Sequence, residues 1–292
     1  MQIESLKIFC DLAESRSFTS AARISGITQS AVSQQISTLE KNFNALLIER
    51  SKKMFRLTKE GQLLYDYSKE MINSYETLNS RMQALQDKVS GNIRVSTIYS
   101  IGLHTLPPFL KLFLKEFPTV NVHVEYSHAD KIREDVLGNV VDLGLVAYPG
   151  KDPKLTIIPL VEEPLVLICA PDHPLANQKA IHLAALAGEN LVGFHIDIPT
   201  RRGIDRVLRE KKINLNPVME FDNIETVKRA VEIGSGVAIV PEMTVAQEVS
   251  LKSLAKVRFR DVKLSRPVAA VYKKTKVLSP ALEHFLSVLA GK

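Results

Sequence analysis

Uncharged hydrogen-bonding side chains are concentrated in residues 27–43, ITQSAVSQQISTLEKNF. Four apolar residues recur there at i, i+4, i+7 and i+11 and predict one stripe of a helix: Val32, Ile36, Leu39 and Phe43. Six polar residues fall on the other faces: Thr28, Gln29, Ser30, Ser33, Gln34 and Ser37. A glutamine amide pairs with the N6/N7 edge of adenine, and a serine hydroxyl pairs with several base groups. The pattern favours a helix that reads DNA bases; the alternative is an ordinary helical hairpin with a solvated polar face.

A shorter helix precedes this segment and positions it. Ser17 is a suitable N-cap, and Gly26 supplies the positive φ that a sharp turn requires. Between them, Ala21 and Ala22 are small enough for two helices to approach closely. Residues 17–43 therefore predict a helix-turn-helix.

A basic hairpin follows in residues 46–58, LLIERSKKMFRLT. Its cations are suited to contact phosphates beside a DNA groove: Arg50, Lys52, Lys53 and Arg56. Residues 1–58 contain eight Lys and Arg against five Asp and Glu, so the segment carries a modest positive charge in the region where DNA contact is expected.

Four motifs in this region together form a specific pattern: F-x-x-L-A-E-x-x-S-F-T-x-A-A (9–22), I-T-Q-S-A-V-S-Q-Q-I-x-x-L-E (27–40), L-x-x-R (47–50) and R-L-T-x-x-G (56–61). Their order resembles the winged helix-turn-helix of LysR-type transcriptional regulators. Asn44 stands where that family usually has glycine, and Ile48 where it usually has phenylalanine. The resemblance implies a sequence-specific DNA-binding regulator that responds to a small-molecule effector.

Residues 59–90 predict a long linker helix that lacks proline and carries a heptad pattern, with Ser68 as a polar gap. Six residues are candidates for a dimer seam: Leu64, Met71, Tyr75, Leu78, Met82 and Leu85. Packing of this stripe on the chain's own carboxy-terminal domain is the alternative, whereas the resemblance implies a dimerising helix. A twofold pair of reading helices would recognise an inverted repeat.

From residue 91 onward, strand and helix patterns alternate, which predicts mostly parallel sheets covered by helices. The chain is expected to change lobes near 160–164 and 264–267, giving lobe I about 91–162 and 267–292 and lobe II about 163–266. The full prediction is an α+β multidomain chain. It has a winged helix-turn-helix domain rich in α-helix (1–58), a linker helix (59–90) and a two-lobed α/β effector domain (91–292), which the resemblance likens to periplasmic solute-binding proteins.

Strand ends and helix starts predict the residues of the cleft between these lobes, because free backbone N–H groups there favour an anion. The candidates are Thr97, Ser100, Ser127, His128, Ala147, His195, Thr200, Arg201 and Thr226. Arg201 and Arg202 both begin a helix, where a cation is unfavourable. They either bind an anion or pair with acids such as Glu225. We expect a small anion or an amino acid as the effector.

The net charge of +6 over 292 residues favours a polyanionic partner. The sequence contains no apolar run of membrane-spanning length and no known catalytic motif, and its two cysteines show no metal-ligand spacing. We therefore expect a cytoplasmic protein that is not an enzyme and needs no metal or cofactor. Its expected partners are double-stranded DNA, an effector, further copies of itself as a dimer or a dimer of dimers, and RNA polymerase if it activates. The alternatives are a ligand-independent architectural DNA-binding protein and an enzyme that uses the α/β cleft.

Overall fold

The computed structural model describes residues 2–51, 54–85 and 89–291. Contacts divide the chain into two compact units, one formed mainly by residues 1–89 and the other mainly by residues 90–292. No helix within the described ranges is both long enough and apolar enough to cross a bilayer.

The first unit is mostly helical. Its elements are α1 (Ile3–Ser15), α2 (Phe18–Ile24), α3 (Gln29–Phe43), β1 (Ile48–Ser51), β2 (Met54–Leu57) and α4 (Lys59–Ala84). Ser17 caps α2 by accepting a hydrogen bond from Ser20 N–H, and Thr28 caps α3 by accepting one from Ala31 N–H. Gly26 has a φ of +65° between them. The local signals in the sequence therefore produce the turn between the two helices as expected.

The core of this unit is built from one face of each helix. Val32, Ile36 and Leu39 of α3 are buried, but Phe43 is 47% exposed. The buried stripe thus ends one turn earlier than expected. Asn44 terminates the helix in the left-handed conformation, where its N–H reaches Glu40 O and Lys41 O. Asparagine tolerates this conformation better than most residues, which explains how it can stand in place of glycine.

Helix α4 starts directly against the segment that leads into the hairpin. Thr58 caps it by accepting from Gly61 N–H, and its own hydroxyl donates to Leu46 O at 2.6 Å. A Cβ at Gly61 would lie 2.0 Å from Leu47 O. One turn further on, the Glu14 carboxylate of α1 receives Lys69 Nζ at 2.7 Å and the Tyr65 hydroxyl at 2.9 Å. These contacts fix α4 against both α1 and the hairpin.

The second unit contains the remaining elements. In chain order they are β3 (Gly91–Thr97), a π-helical turn (Ile101–Thr105), α5 (Leu106–Glu116), β4 (Val120–Tyr126), α6 (Ala129–Leu137), β5 (Leu143–Ala147), β6 (Leu155–Cys169), β7 (Ala180–Ile181), β8 (Asn190–Phe194), α7 (Pro199–Glu210), β9 (Asn216–Phe221), α8 (Ile224–Glu232), β10 (Ala238–Pro241), α9 (Ala246–Leu251), β11 (Ala255–Phe259), β12 (Ser265–Lys273) and α10 (Pro280–Leu289).

The strands of this unit form a mixed rather than mostly parallel arrangement. β3 pairs in parallel with β4 and β5, and β8 pairs in parallel with β9. β6, however, runs antiparallel to β10, β11 and β12. The 15-residue β6 continues from one lobe into the other, pairing with β12 over its first part and with β10 and β11 over its second part. β12 returns alongside it, so two adjacent strands join the lobes.

A buried ion pair lies where these two strands pass between the lobes. Arg266 of β12 is only 1% exposed, and its Nε donates to Glu163 Oε2 of β6 at 2.8 Å. Glu163 Oε1 accepts from Thr105 Oγ1 of lobe I, while Arg266 Nη1 donates to Thr200 Oγ1 of lobe II at 3.3 Å. Burial lowers the pKa of the Arg266 guanidinium, and the Glu163 carboxylate opposes that effect. The pair thus connects both strands and both lobes.

We predict that Glu163→Gln destabilises the second unit by about 3 kcal/mol, because it leaves the buried Arg266 without its counter-charge. Urea unfolding of the full-length protein, followed by circular dichroism, measures this. Glu162→Gln is the matched control, since Glu162 is the exposed neighbour and meets only the Ser265 hydroxyl at 3.0 Å. Equal unfolding midpoints for the two variants would contradict the assigned role.

We predict that Gly61→Ala destabilises the first unit by about 2 kcal/mol or more, because the added methyl group meets a backbone oxygen that cannot move independently. Thermal unfolding measures the loss. Gly150→Ala should be nearly neutral, since nothing lies within 4 Å of a Cβ at that position. A Gly61→Ala variant as stable as the parent protein would show that α4 is not held closely against Leu47.

Candidate functional sites

The polar face of α3 is open to solvent. Thr28, Gln29, Ser30 and Gln34 are exposed, and Ser33 and Ser37 are half-buried beside them. The Thr28 and Ser30 hydroxyls are 2.9 Å apart. On another face, Gln35 accepts from Ser5 Oγ at 2.8 Å, so this third glutamine is engaged within the unit. The amides of Gln29 and Gln34 remain available to an external partner.

A groove separates α3 from the β1–β2 hairpin. Ser33, Gln34 and Ser37 border it from the helix, and Glu49 borders it from the hairpin. Glu40 Oε1 accepts the Leu47 N–H at 3.1 Å and fixes the helix relative to the start of the hairpin. The hairpin pairs Ile48–Ser51 with Met54–Leu57 in antiparallel register. Lys52, Lys53 and the side chain of Arg50 lie outside the described residues.

Apolar residues line an exposed face of α4. Of the six expected seam residues, five are exposed: Met71, Tyr75, Leu78, Met82 and Leu85. Leu64 is only 9% exposed and packs into the core of the first unit. Leu63 and Tyr67, which the heptad pattern passed over, are exposed instead. The exposed apolar stripe therefore advances in steps of four residues from 63 to 75. From residue 75 to residue 85 it follows the alternating steps of three and four that are typical of a heptad.

A cavity of about 80 Å³ lies between the two lobes of the second unit. Five of the expected cleft residues line it: Ser100, Ser127, His128, Ala147 and Thr200. The other four do not. The Thr97 side chain is fully buried below the cleft and donates to Ile98 O, and Thr226 donates to Asn223 Oδ1. His195 is exposed and bonds Asp197 at 2.7 Å, which raises the pKa of the imidazole.

Arg201 is an internal structural residue in this conformation. It is 6% exposed, its Nε donates to both Asp205 oxygens at 2.8 and 2.9 Å, and its Nη1 donates to Glu220 Oε1 and Phe194 O. The unfavourable cation at a helix start is thus offset by neighbouring acids. Glu225, the acid suggested by the sequence, is engaged by other partners, because it receives Lys228 Nζ and His104 Nε2.

Several residues that sequence reasoning missed also line the cavity. They are chiefly charged or polar: Asp130, Asp197, Asp222, Asn223 and Arg266. Arg202, for which the sequence left anion binding and pairing with acids open, lines the cavity as well. The signal available for Arg266 was its position within the strand-like run RPVAAVY, where a charged residue requires a partner. Cations and carboxylates therefore border the same small space.

The two thiols are buried and carry no sign of a metal site. Burial raises the pKa of Cys10 to about 12 and that of Cys169 to about 11. No group of His, Cys, Asp and Glu in the described part of the chain could hold a metal ion.

Two curated relatives match almost the whole chain. A probable RuBisCO transcriptional regulator from Phaeodactylum tricornutum is 27% identical over 98% of this chain and 95% of its own length. The HTH-type transcriptional activator CmpR from Synechocystis is 29% identical over 98% of this chain and 94% of its own length.

Two solved structures share the fold. The LysR-family regulator CbnR, complexed with its target DNA, has a TM-score of 0.70 at 19% identity and covers 99% of both chains. The Synechocystis CcmR regulatory domain in complex with 2-PG has a TM-score of 0.63 at 24% identity, covering 69% of this chain and 97% of that domain. Together with the architecture above, they confirm the fold class expected from the sequence.

Two family models match consecutive parts of the chain. The bacterial regulatory helix-turn-helix protein model of the lysR family matches residues 3–62, and the LysR substrate binding domain model matches residues 86–292. The first match contains α1 to α3 and the hairpin, and the second contains the two-lobed unit. The chain belongs to the LysR family of transcriptional regulators, with a DNA-binding helix-turn-helix domain followed by an effector-binding domain.

Proposed function

We propose that this regulator reads an interrupted inverted repeat through Gln29, Ser30, Ser33, Gln34 and Ser37 of α3. The observation that carries the proposal is the exposed, uncharged, hydrogen-bonding face of α3, whose opposite face is buried in the core. Thr28 caps the amino-terminal end of the same helix, next to Gln29 and Ser30. CbnR, which shares the fold, has been solved with its target DNA. Arg50, Lys52 and Lys53 would contact phosphates beside the groove.

Self-association through α4 is the second part of the proposal. The exposed stripe includes Met71, Tyr75, Leu78, Met82 and Leu85. An apolar stripe of this length on an exposed helix favours pairing with a second copy. A dimer, or a dimer of dimers, would present two α3 helices to the two halves of one site. Leu64 would contribute indirectly, by anchoring α4 in the core of its own unit.

The effector is proposed to be a small anion or an amino acid bound between the lobes. Ser100, Ser127 and Thr200 offer hydroxyl groups, and Arg202 and Arg266 carry positive charge at the same cavity. Asp130, Asp197 and Asp222 contribute negative charge to the same cavity. This mixture favours a zwitterion such as an amino acid over a bare anion. The volume of about 80 Å³ is far below the ~300–1,000 Å³ of drug-sized pockets, so it suits a small ligand.

Effector binding would act by shifting the equilibrium between lobe arrangements. A ligand that prefers one arrangement can bias DNA binding by no more than its differential affinity, typically about 1–3 kcal/mol. We assign residues 1–58 to DNA binding, 59–90 to dimerisation and 91–292 to effector binding. We place the protein in the cytoplasm as a non-enzymatic regulator, with RNA polymerase as a further partner if it activates transcription.

We predict that Gln29→Ala lowers affinity by about 1–3 kcal/mol at one base pair and relaxes selectivity there. An operator is first isolated from genomic fragments that the purified protein retains. Fluorescence anisotropy with a set of single-base variants of this operator then measures the change in affinity. Gln247→Ala is the control, since Gln247 is an exposed glutamine on α9. Arg50→Ala should instead weaken all sequences alike and reduce the salt slope by about one. If Gln29→Ala leaves the ranking of operator variants unchanged, the assigned reading face is wrong.

We predict that Ser100→Ala weakens effector binding about fivefold or more, because it removes a hydrogen-bonding group from the cavity wall. Calorimetric titration of the full-length protein with amino acids, small carboxylates and uncharged apolar compounds identifies the ligand class. Ser250→Ala, at an exposed serine of α9, should leave affinity unchanged. Binding of uncharged apolar compounds alone would refute the proposed ligand class.

A further inference from the structure

A second, larger cavity lies beside the effector cavity within the second unit. It has a volume of about 500 Å³ and is open to solvent, whereas the cavity between the lobes described above, here called the effector cavity, measures about 80 Å³. Helix α7 borders it on one side, and the segment from Ala147 to Asp152 borders it on the other. Ala147, Pro199 and Arg202 line both spaces. We call this second space the side cavity.

Positive charge dominates the side cavity. Helix α7 presents Arg202, Arg206 and Arg209 to it at i, i+4 and i+7, and the opposite segment contributes Lys151. Among the described residues that line it, five cations face two carboxylates, and Asp152 is already paired with Arg133. Three positive charges therefore remain in excess.

Three of these five cations have no side-chain partner among the described residues. The side chains of Arg202, Arg206 and Lys151 make no hydrogen bond or ion pair with any described residue, and Arg209 Nε donates only to the Asp205 carbonyl at 3.2 Å. The Asp205 carboxylate, which lies on the same helix, is occupied by Arg201 Nε at 2.8 and 2.9 Å. An ordinary solvated helix face would alternate acids with these arginines.

The cavity wall is also held in place. Tyr148 adopts a positive φ of 51°, and its hydroxyl donates to Ser265 O at 3.1 Å. A Cβ at Gly203 of α7 would lie 2.4 Å from the same hydroxyl oxygen, so only glycine permits this approach. Tyr148 thereby anchors the segment that carries Lys151 to β12, and its hydroxyl lies close to Gly203 of the helix that carries the arginines.

We propose that the side cavity binds a polyanionic small molecule, such as a nucleotide or a bis-phosphorylated metabolite, as a second ligand distinct from the effector. Guanidinium groups bind phosphate oxygens in a bidentate manner, and three arginines on one helix face would hold more than one phosphate. The volume falls within the range of about 300–1,000 Å³ that accommodates ligands of this size. Because Arg202 lines both cavities, occupancy of one would alter the charge felt in the other.

A concave space of this size favours a small polyanion over duplex DNA, which is too wide to be enclosed. Tyr148, Leu155 and Val271 add apolar surface to the wall. Apolar surface suits the ring or carbon skeleton of a metabolite, whereas a phosphate backbone alone would need only the cations.

The test is calorimetric titration of the full-length protein at low salt with inorganic pyrophosphate and with ADP. We expect saturable binding that Arg206→Gln and Lys151→Gln each weaken about tenfold, by removing a charge-assisted contact. Arg260→Gln is the matched control, because Arg260 is an exposed arginine of the same unit that does not line the cavity. Ser100→Ala, which alters only the effector cavity, should leave pyrophosphate binding unchanged.

Four results would overturn the proposal. The first is that neither pyrophosphate nor ADP binds at millimolar concentration. The second is that Arg260→Gln weakens binding as much as Arg206→Gln, which would indicate general charge attraction. The third is that Ser100→Ala abolishes binding while Arg206→Gln does not, which would place the probe in the effector cavity. Displacement of bound ADP by an unrelated DNA duplex would assign the surface to nucleic acid instead. Circular dichroism and thermal unfolding verify that each variant is folded.

Discussion

The effector domain depends on one constraint, the passage of β6 and β12 between its lobes. These strands pair from Leu155 to Pro164 with one register shift at Leu160, so the lobes are joined by a hydrogen-bonded ribbon rather than by flexible linkers. Two paired strands can bend and twist together, but they do not come apart without breaking their hydrogen bonds. This pairing restricts the range of angles that the two lobes can adopt. The Glu163–Arg266 pair lies in this ribbon and meets a threonine from each lobe. A change in the angle between the lobes must therefore disturb a buried charge.

This location explains how a small ligand could influence a large domain. Thr200 both lines the cavity between the lobes and accepts a hydrogen bond from Arg266, so this cavity and the joining strands share a residue. Buried charges tolerate only a few geometries, because an imperfectly paired ion in a low-dielectric interior is costly. A second contact between the lobes, His104 Nε2 to Glu225 Oε1 at 2.8 Å, is only half-buried and is therefore easier to break than the buried pair. The two lobes are thus connected by a buried ion pair within the joining strands and by a weaker ion pair between His104 and Glu225.

Much of the first unit could be predicted from sequence because its signals are local. Ser17, Gly26 and Thr28 specify the turn by capping and by backbone conformation, and the apolar period specifies the buried face of α3. The role of Leu64 could not be predicted, because the heptad spacing does not reveal that the core of the same unit covers it. The alternating strand and helix patterns, with expected crossings near 160–164 and 264–267, indicated two lobes, and the family resemblance implied the same architecture.

Long-range pairing was the main obstacle in the second unit. Arg201 and Arg202 are adjacent in the sequence, yet one is buried among acids and the other is exposed at the cavities, since neighbouring helical positions point about 100° apart. Arg266 and Glu163 are separated by 103 positions, and only the strand register brings them together. Strand ends correctly indicated where a cavity forms, but tertiary contacts decide which side chains reach it.

The burial of both cysteines affects the chemical reactivity of their thiols. With pKa values near 12 and 11, fewer than about one thiol in a thousand is ionised at neutral pH, and the thiolate is the form that peroxides attack. Burial therefore disfavours the reactive thiolate at both positions, and neither thiol is suited to sense peroxide.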